Sequence, residues 1–476
     1  MSQTNSENKF DILIIGGGLS GLTSALRIHQ RDPSLHVALM EATNVIGGQL
    51  RFNHLGELGA KWITEDQYHI YTLLKDLNVS IRRRNIEQSQ SLKRYWQLDG
   101  GIFAALAKYE LKRYIDELEL MLEYRAGELK RFQSTSMHSH ICRCLFFRMC
   151  RKFMLNLVLL ISGCEACDIV VNDFINVCRT SGGIGRLINL FIEIPNGLLE
   201  FSTQELITKM LEHMEYVHII YGHKVSEIFQ YREHVEVLDS QNLKYTAQAI
   251  ILAIPWQQIQ EIQFHPPLPL ELQRAPRNEN KTKYVLTSFL ASYREAYWQK
   301  SGYTGQYLWL EPFLMAHQYH NNTIYGHYLH EEGIEPLVKS LILHKLAEAF
   351  GEEMLLPLVY SQHTFELPAL DHAPRTTPWN RVIWSSSASA GTCYRGLLGG
   401  AVQSGYRAAM NALLICRPQL VTWQDISEIQ CSLNLPLRKR TFLKRWLSSW
   451  NLYSIATNVV FVSGFILVLR CCYKKH

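Results

Sequence analysis

A glycine-rich turn close to the N-terminus limits the fold of this chain more than any other feature. An apolar run at 11–15 (DILII) leads into the turn at 16–21 (GGGLSG), and apolar residues then recur at helical spacing. A second apolar run at 37–40 ends at Glu41, twenty residues after the last glycine of the turn. Strand, glycine turn, helix, strand and acidic residue in this order predict a Rossmann-like βαβ unit. The fold class is therefore expected to be α/β.

The turn and the acidic residue each have a predicted function in holding a dinucleotide. Gly16 permits the tight turn, Gly18 lets a pyrophosphate approach the backbone, and the N-terminus of the helix faces the phosphates. Glu41 would accept hydrogen bonds from the adenosine ribose, which argues against a 2′-phosphate but does not separate NAD from FAD. The cofactor-binding residues predicted here are Gly16, Gly18, Leu19, Ser20, Gly21 and Glu41.

Composition excludes several classes of protein. Hydrophobic residues make up 47% of the 476 positions, so the chain has enough apolar surface to fold. A formal net charge of +5 is small for this length and argues against a dedicated nucleic-acid binder. The CxxC at 164–167 has no second pair, so neither a metal site nor a disulfide framework is predicted. The first ten residues show no signal-peptide pattern, which predicts synthesis in the cytosol.

The residues after the second strand carry a resemblance to a known family. Glu41-Ala42 precedes the glycine pair Gly47-Gly48, and the segment 57–62 (ELGAKW) follows. This arrangement resembles the flavin-containing amine oxidases, in which the glycine pair follows the ribose-binding acid and an acid-Leu-Gly-Gly segment lines the flavin. The resemblance favours FAD over NAD. It adds to the predicted cofactor site Gly47, Gly48, Gln49, Gly59 and Trp62.

Three further segments resemble the monoamine oxidase branch of this family. They are 245–269 with its Ala-Ile-Pro turn, 293–298 (YREAYW) and the helix-like 399–409 (GGAVQSGYRAA). The resemblance implies that small residues bring this last helix close to the flavin ring, where its N-terminal dipole favours negative charge. It also implies cofactor contacts at Val225, Leu398, Gly400 and Ala401.

The implied architecture is a Rossmann-like FAD-binding domain interleaved with an α+β substrate domain. Because the two domains alternate along the chain, each is assembled from separate segments. The expected ranges are 8–90 (FAD-binding), 91–204 (substrate domain, helical part), 205–275 (FAD-binding), 276–354 (substrate domain), 355–420 (FAD-binding) and 421–476 (C-terminal tail).

The C-terminal tail contains a predicted transmembrane helix. No charged residue occurs at 446–469, and eighteen helical residues span ~27 Å, close to the hydrocarbon thickness of a bilayer. Basic residues flank the segment on both sides, and Trp446 and Trp450 lie where an interfacial aromatic belt is expected. The alternative is a buried C-terminal helix. The resemblance implies a tail anchor that contacts membrane lipid, in the mitochondrial outer membrane, with the bulk of the protein facing the cytosol.

Several positions depart from the family pattern. Ser288 stands where the resemblance implies a lysine that holds a water near the flavin. Leu397 stands where it implies a tyrosine of the aromatic cage around the amine. The Gly-Thr-Glu step is replaced by 386–388 (SSA), and Gln49 replaces the arginine after the glycine pair. The stretch 364–379 contains no cysteine, so FAD is predicted to be bound non-covalently.

Hypotheses of different classes follow from these observations. The first is a membrane-anchored, FAD-dependent enzyme that deaminates a small amine with O2 and yields an aldehyde and hydrogen peroxide. The second is a catalytically impaired relative that serves as a membrane-anchored binding or scaffold protein, which Ser288 and Leu397 favour. The third is a flavin oxidase of the same superfamily that acts on a polyamine or a porphyrinogen. No catalytic residue is assigned, and the identity of the amine and a homodimer are left open.

Overall fold

The structure is a computed structural model, and it describes residues 8–84, 92–99, 101, 103–123, 129–193, 198–273, 283–367, 375–391 and 394–430. The described residues form two compact units. The first unit takes those of Met1–Tyr95, Leu160–Cys164 and Asn189–Leu435, and the second takes those of Trp96–Leu159 and Glu165–Ile188.

The described strands and helices are numbered in chain order through both units. In the first unit, strands and helices alternate in the first half and strands predominate later. The strands in chain order are β1 (Lys9–Ile15), β2 (Val37–Glu41), β3 (Phe52–Asn53), β4 (Gly56–Glu57), β5 (Trp62–Ile63), β6 (Ile81–Arg83), β7 (Lys93–Trp96), β8 (Leu199–Phe201), β9 (His218–Tyr221), β10 (Val225–Gln230), β11 (Val235–Asp239), β12 (Lys244–Leu252), β13 (Gln263–His265), β14 (Tyr284–Ser292), β15 (Tyr303–Leu310), β16 (Phe313–His320), β17 (Thr323–Glu331), β18 (Val359–Glu366) and β19 (Val382–Trp384). The α-helices are α1 (Leu19–Arg31), α2 (Tyr68–Asp76), α3 (Ala104–Met121), α4 (Met137–Cys144), α5 (Arg148–Ser162), α6 (Val171–Thr180), α7 (Ile184–Ile188), α8 (Thr203–Glu212), α9 (Trp256–Ile259), α10 (Leu270–Gln273), α11 (Tyr297–Lys300), α12 (Glu335–Phe350), α13 (Leu398–Cys416) and α14 (Trp423–Gln430).

An eight-stranded sheet forms the first layer of the first unit. Its order is β13-β10-β11-β12-β1-β2-β9, and β19 also pairs with β12. Strands β19, β12, β1, β2 and β9 pair in parallel, whereas β10, β11 and β12 form an antiparallel meander. The predicted α/β class is confirmed, and the strands of this sheet come from the ranges assigned to FAD binding, namely 8–90, 205–275 and 355–420.

Strand β12 shows why the sequence pattern changes along a single strand. Its first half alternates between buried and partly exposed residues and pairs with antiparallel β11. Its last four residues are all buried, and here it pairs with β1 on one side and β19 on the other. A strand covered on both faces of a parallel sheet carries a continuous apolar run, which is the IIL that ends β12.

A second sheet in the same unit has two chemically different faces. Its order is β18-β14-β17-β16-β15-β7, with antiparallel pairs from β18 to β15. One face is apolar and packs on α12, through Phe289, Ala291, Leu314, Ala316, Ile324, Tyr328, Val338, Ile342 and Leu346. The opposite face carries hydrogen-bonding side chains in cross-strand register. We refer to it as the polar face, formed by Ser288, His317, Tyr325, His327, Ser361 and His363.

The six-stranded sheet extends beyond the range 276–354 that the sequence assigns to this part of the substrate domain. Strand β18 lies after residue 354, yet it pairs along its whole length with β14. Strand β7 comes from the range 91–204, which is expected to be mainly helical. Both strands lie at a partly exposed edge of the sheet, and both are rich in polar and aromatic residues. They therefore lack the apolar pattern from which strands are predicted.

The second unit is helical in the part of the chain that the structure describes. The buried carboxylate of Glu110 in α3 accepts hydrogen bonds from the backbone N–H groups of Phe146 and Phe147, at 2.7 and 3.0 Å. These bonds fix the turn between α4 and α5. No helix among the described residues is long and apolar enough to cross a bilayer. The anchor predicted at 446–469 lies outside the described residues and stays a prediction.

Candidate functional site

The turn at 16–21, here called the phosphate-binding turn, is shaped by contacts that exclude side chains. Gly16 has a φ of +108°, and a Cβ atom there would lie 2.6 Å from the carbonyl oxygen of Ala253. A Cβ atom on Gly21 would lie 2.0 Å from the carbonyl oxygen of Gly16. Glycine is therefore required at both positions by sterics, since real Cβ atoms do not approach backbone this closely.

The first turn of α1 has no side-chain cap and no negative charge. Gly18 is the N-cap and contributes no side chain, and the first turn, which includes Leu19 and Ser20, contains no acidic residue. The glycine pair packs against this turn: Gly47 N–H donates to the carbonyl of Gly17 at 2.8 Å, and Gly48 is so close that a Cβ atom would lie 2.9 Å from Gly18 Cα. Backbone N–H groups and the helix dipole together favour a phosphate here.

Glu41 ends β2 beside the phosphate-binding turn. Its Oε2 accepts a hydrogen bond from Gly17 N–H at 2.9 Å, and its Oε1 accepts from Thr43 N–H at 3.0 Å. Its backbone carbonyl accepts from His223 N–H at 3.2 Å. This last bond brings the start of β10, with the buried Val225, to the same end of the sheet. The residues predicted for the adenosine end of the cofactor are thus neighbours.

The segment after the glycine pair folds back on itself. A Cβ atom on Gly59 would lie 2.0 Å from the carbonyl oxygen of Gln49, and Ala60 N–H donates to that oxygen at 3.3 Å. Gln49 therefore contributes its backbone to this turn. The nearby Arg51 has a buried Nε without a hydrogen-bond partner among the described residues. It provides a guanidinium close to the position where the family pattern has one.

The N-terminus of α13 is built from backbone and small residues. Leu397 is the N-cap, and Leu398, Gly400 and Ala401 lie in the first turn. A Cβ atom on Gly400 would lie 2.3 Å from the carbonyl oxygen of Tyr394. Further along, Ser24 Oγ of α1 donates to the carbonyl of Gly405 at 3.1 Å, so the two helices pack directly on each other.

Two side chains near α13 were not found by sequence reasoning. Gln67 is buried, and its Oε1 accepts a hydrogen bond from Gly399 N–H at 3.1 Å, which caps α13. Arg407 is buried among neutral groups such as Ser389 and Ser404, and burial lowers its pKa to about 10. Ser389 directly follows 386–388, where the family pattern has Gly-Thr-Glu. A capping glutamine and an arginine in a helix carry no sequence signal that separates them from surface residues.

Ser288 lies on the polar face and is hydrogen-bonded to a neutral histidine. Its Oγ is 2.8 Å from Nδ1 of His327 on the neighbouring strand β17. Burial, together with the nearby Lys61, lowers the pKa of His327 to about 3, so the imidazole is neutral at physiological pH. The pair supplies hydrogen bonding but no fixed positive charge where the resemblance implies a lysine.

A lysine does reach the polar face, from a segment where sequence reasoning did not look. Lys61 follows Gly59 in the ELGAKW segment, its side chain is 1% exposed, and burial lowers its pKa to about 7. Lys283, the described lysine closest to Ser288 in sequence, is exposed. The sequence feature that could have identified Lys61 is its position: it is a charged residue among small and apolar ones, in a segment that the family pattern assigns to the flavin.

The residues present fit an FAD molecule. The N-terminus of α1, which has no side-chain cap, and the Nε of Arg51, which has no hydrogen-bond partner among the described residues, suit a pyrophosphate. The glycines of the turn add no side chain that would prevent its close approach. Glu41, which is predicted to hold the ribose, has its carboxylate fixed by a hydrogen bond from Gly17 N–H. The two helices that pack together, α1 and α13, bring the phosphate end and the predicted ring end into one unit.

A βαβ unit with a glycine-rich turn of this shape is typical of proteins that bind a dinucleotide. A family model described as flavin containing amine oxidoreductase matches residues 19–319, which is more than half of the chain. The chain belongs to this family of oxidoreductases, and its cofactor is FAD.

Individual relatives are distant but match over nearly their full lengths. Human amine oxidase [flavin-containing] B is 24% identical, over 93% of this chain and 94% of its own. Among solved structures, a putrescine oxidase bound to putrescine gives a TM-score of 0.68 at 21% identity, over 85% of this chain and 99% of that chain. Cyclohexylamine oxidase from Brevibacterium oxydans also gives 0.68, at 16% identity, over 85% of this chain and 98% of that chain. At these identities the solved structures show the fold alone.

Proposed function

We propose that this protein oxidises a small primary amine with O2, through non-covalently bound FAD. The overall reaction converts a primary amine, O2 and water into an aldehyde, ammonia and hydrogen peroxide. The observation that carries the proposal is the direct packing of α1 on α13, which joins the phosphate-binding turn to the helix expected at the flavin ring. Bound FAD would supply the oxidising group, because it accepts two electrons from the carbon next to the amine nitrogen.

The chain's own residues would bind the cofactor and orient polar groups. The α1 N-terminus and Arg51 would hold the pyrophosphate, and Glu41 would hold the ribose. The N-terminal dipole of α13 would favour negative charge at the flavin ring. Ser288 and His327 form a neutral, buried hydrogen-bonded pair on the polar face, which orients polar groups without adding charge.

A catalytically impaired binding protein is the second candidate. Leu397, which is the N-cap of α13, has no ring with which to face an amine, and Ser288 has no charge. These two positions support a protein that keeps the FAD-binding fold but oxidises amines poorly. The two candidates differ only in whether the amine is oxidised efficiently, because both require the same residues to bind the phosphates of FAD.

The deciding experiment is the visible absorbance spectrum of the purified full-length protein, read before and after acid precipitation. Flavin bands that move to the supernatant support non-covalent FAD. Peroxide release is then measured with a panel of benzylamine, putrescine and cyclohexylamine. Flavin without peroxide favours the impaired relative, and a protein that stays colourless with added FAD contradicts both candidates.

We further propose that residues 446–469 anchor the protein in the mitochondrial outer membrane. The support is the uncharged segment with basic flanks and two tryptophans at one end. Deletion of 446–476 is expected to move the protein from the membrane pellet to the supernatant. Persistent pelleting of the truncated protein, or its location in another membrane, contradicts the corresponding part of the proposal.

A further inference from the structure

Lys61 is enclosed by three aromatic side chains from different elements. Its Nζ lies 3.7 Å from the ring centroid of Tyr325, 3.9 Å from that of Tyr319 and 4.8 Å from that of Trp62. The same Nζ donates a hydrogen bond to the carbonyl oxygen of Glu57 at 2.9 Å. We call Trp62, Tyr319 and Tyr325 the aromatic box. Several rings around one nitrogen are a known way to recognise amines and their cations.

The aromatic box is built into the fold and does not depend on Lys61 to exist. Tyr319 lies against Gly56, where a Cβ atom would come within 2.9 Å of its Cε1. Tyr325 donates from its hydroxyl to the carbonyl of Leu58 at 3.3 Å, and its ring meets that of Trp62 edge-on at 5.3 Å. The walls are therefore held by their own contacts with the 56–62 segment.

A second, independent observation marks this region as a place for a polar ligand. His317 is 4% exposed, its ring packs against Trp62 and Tyr325 at 5.0 and 5.3 Å, and neither ring nitrogen has a hydrogen-bond partner among the described residues. The indole nitrogen of Trp62 is also buried without such a partner. Buried polar atoms of this kind are usually satisfied. Hydrogen-bonding capacity thus remains unused beside the box.

We propose that the aromatic box is a binding site for a primary alkylamine, which this chain fills with its own Lys61. The rings and the Glu57 carbonyl recognise the nitrogen, and the lysine side chain occupies the channel that an alkyl chain would use. An external amine therefore reaches the box only when the Lys61 side chain is displaced or shortened. The inference concerns binding alone, so it holds whether or not the protein oxidises amines.

Truncation of Lys61 tests the proposal directly. Lys61→Ala removes Cγ, Cδ, Cε and Nζ, which are the heavy atoms of propylamine. We expect about 10 mM propylamine at about pH 9 to raise the melting temperature of the variant, as it is purified and with whatever flavin it carries, by at least about 3 °C, in a saturable manner. Ethyl methyl ether has the same number of heavy atoms but no N–H, and it is expected to give less than a third of this shift.

Three proteins serve as controls for the truncated variant. Wild type and Lys61→Met keep the channel filled, so neither is expected to show the additional shift. Lys75→Ala removes an exposed lysine whose Nζ lies 4.3 Å from a single ring, that of Tyr71, and it is also expected to show none. If Lys61→Ala does not fold alone, we expect its soluble yield to be restored by propylamine in the medium and not by the ether.

Two results would overturn the proposal. One is an equal response of Lys61→Ala to propylamine and to the ether, which would make the space an unselective cavity. The other is an equal response of Lys61→Ala and Lys75→Ala. Neither result bears on FAD binding or on peroxide release. Conversely, a colourless protein or a peroxide-free assay contradicts the proposed function and leaves the aromatic box untouched.

Discussion

The phosphate-binding turn and the polar face contribute to the same candidate site by different means. The turn is defined by backbone: Gly16 and Gly21 leave no space for a Cβ atom, and the helix start offers its N–H groups. The polar face is defined by side chains, including the Ser288–His327 pair, and the buried Lys61 reaches it from another segment. The first region matches the family pattern and the second departs from it.

The comparison shows which kind of site tolerates change. A site made of backbone atoms can be altered only by altering the chain path, because every added atom collides with another part of the main chain. A site made of side chains can exchange one polar set for another, provided that each buried group finds a partner. Ser288 finds His327, and Lys61 finds the Glu57 carbonyl and three rings.

The largest expected effect comes from replacing the buried amine. Lys61 has a pKa of about 7 when folded, against 10.5 for the free group, so the unfolded chain binds more protons between these values. Wild type therefore gains stability as pH rises through this window, by about 5 kcal/mol at most. We expect Lys61→Met to be more stable than wild type at about pH 6, and this advantage to shrink by several kcal/mol towards about pH 10. Urea unfolding at a series of pH values measures it.

The assignment of this pH dependence to Lys61 rests on its surroundings. The neighbouring histidines have pKa values lowered by burial and stay neutral across the window, whereas the neighbouring tyrosines have raised ones. A pH-independent difference between the two proteins contradicts the prediction. The charged or titratable groups around Lys61 are Glu57, Arg84, Glu200, His317, Tyr319, His320, Tyr325 and His327.

Adding a single methyl group at Gly21 tests the phosphate-binding turn. Gly21→Ala places a Cβ atom 2.0 Å from the Gly16 carbonyl, so the turn must open. We expect a loss of about 3 kcal/mol in the free energy of unfolding, together with loss of FAD. Gly185→Ala is the matched control, because its nearest atom lies at 3.4 Å and belongs to a flexible glutamate side chain. Similar losses in both variants would show that the steric account is wrong.

Substitution of Glu41 tests the side chain that is predicted to hold the ribose. Glu41→Gln keeps the shape but removes the charge that accepts from Gly17 N–H and, as predicted, from the ribose. We expect the dissociation constant for FAD to rise about 10- to 100-fold, which corresponds to about 1.5–3 kcal/mol. Quenching of flavin fluorescence by the apoprotein measures this affinity. Glu65→Gln, at an exposed ion pair with Arg83, is expected to leave it unchanged.

The smallest effect is expected on the polar face. Ser288→Ala leaves Nδ1 of the buried His327 without its partner, which costs about 1–2 kcal/mol of stability. FAD affinity is expected to stay within a factor of two of wild type. The family pattern has a lysine at this position, so binding of FAD by the phosphate-binding turn does not depend on a serine here. Thermal unfolding and FAD titration of the same preparation give both values. A large loss of FAD would place Ser288 in the cofactor site after all.

The sequence was sufficient to predict those parts of the fold that depend on glycine and on apolar runs. The phosphate-binding turn, β1, β2 and the helix from 398 all carry such signals, and the structure brings them together. The parallel pairing of β1 with β2 is the one predicted for a βαβ unit in which α1 connects the two strands. The cofactor residues predicted from these signals stay predictions until FAD binding is measured.

The polar face and the surroundings of Lys61 were harder to predict, because their contacts are long-range in sequence. Lys61 meets Tyr319 and Tyr325 across more than 250 residues, and Ser288 meets His327 through a strand register that no local pattern specifies. Comparison with the family pattern shows which residues are missing from the chain. It does not show which residues have moved in to replace them, since that depends on the packing of separate segments.

Glu57 links these separate segments through two different groups. Its carboxylate accepts hydrogen bonds from Thr203 N–H and Ser202 Oγ, both at 3.1 Å, which caps α8. Its carbonyl oxygen holds Lys61 Nζ at 2.9 Å. A shift of α8 is therefore transmitted through one residue to the aromatic box. Substitutions at positions 61 and 203 are therefore expected to be coupled, because both residues are hydrogen-bonded to Glu57.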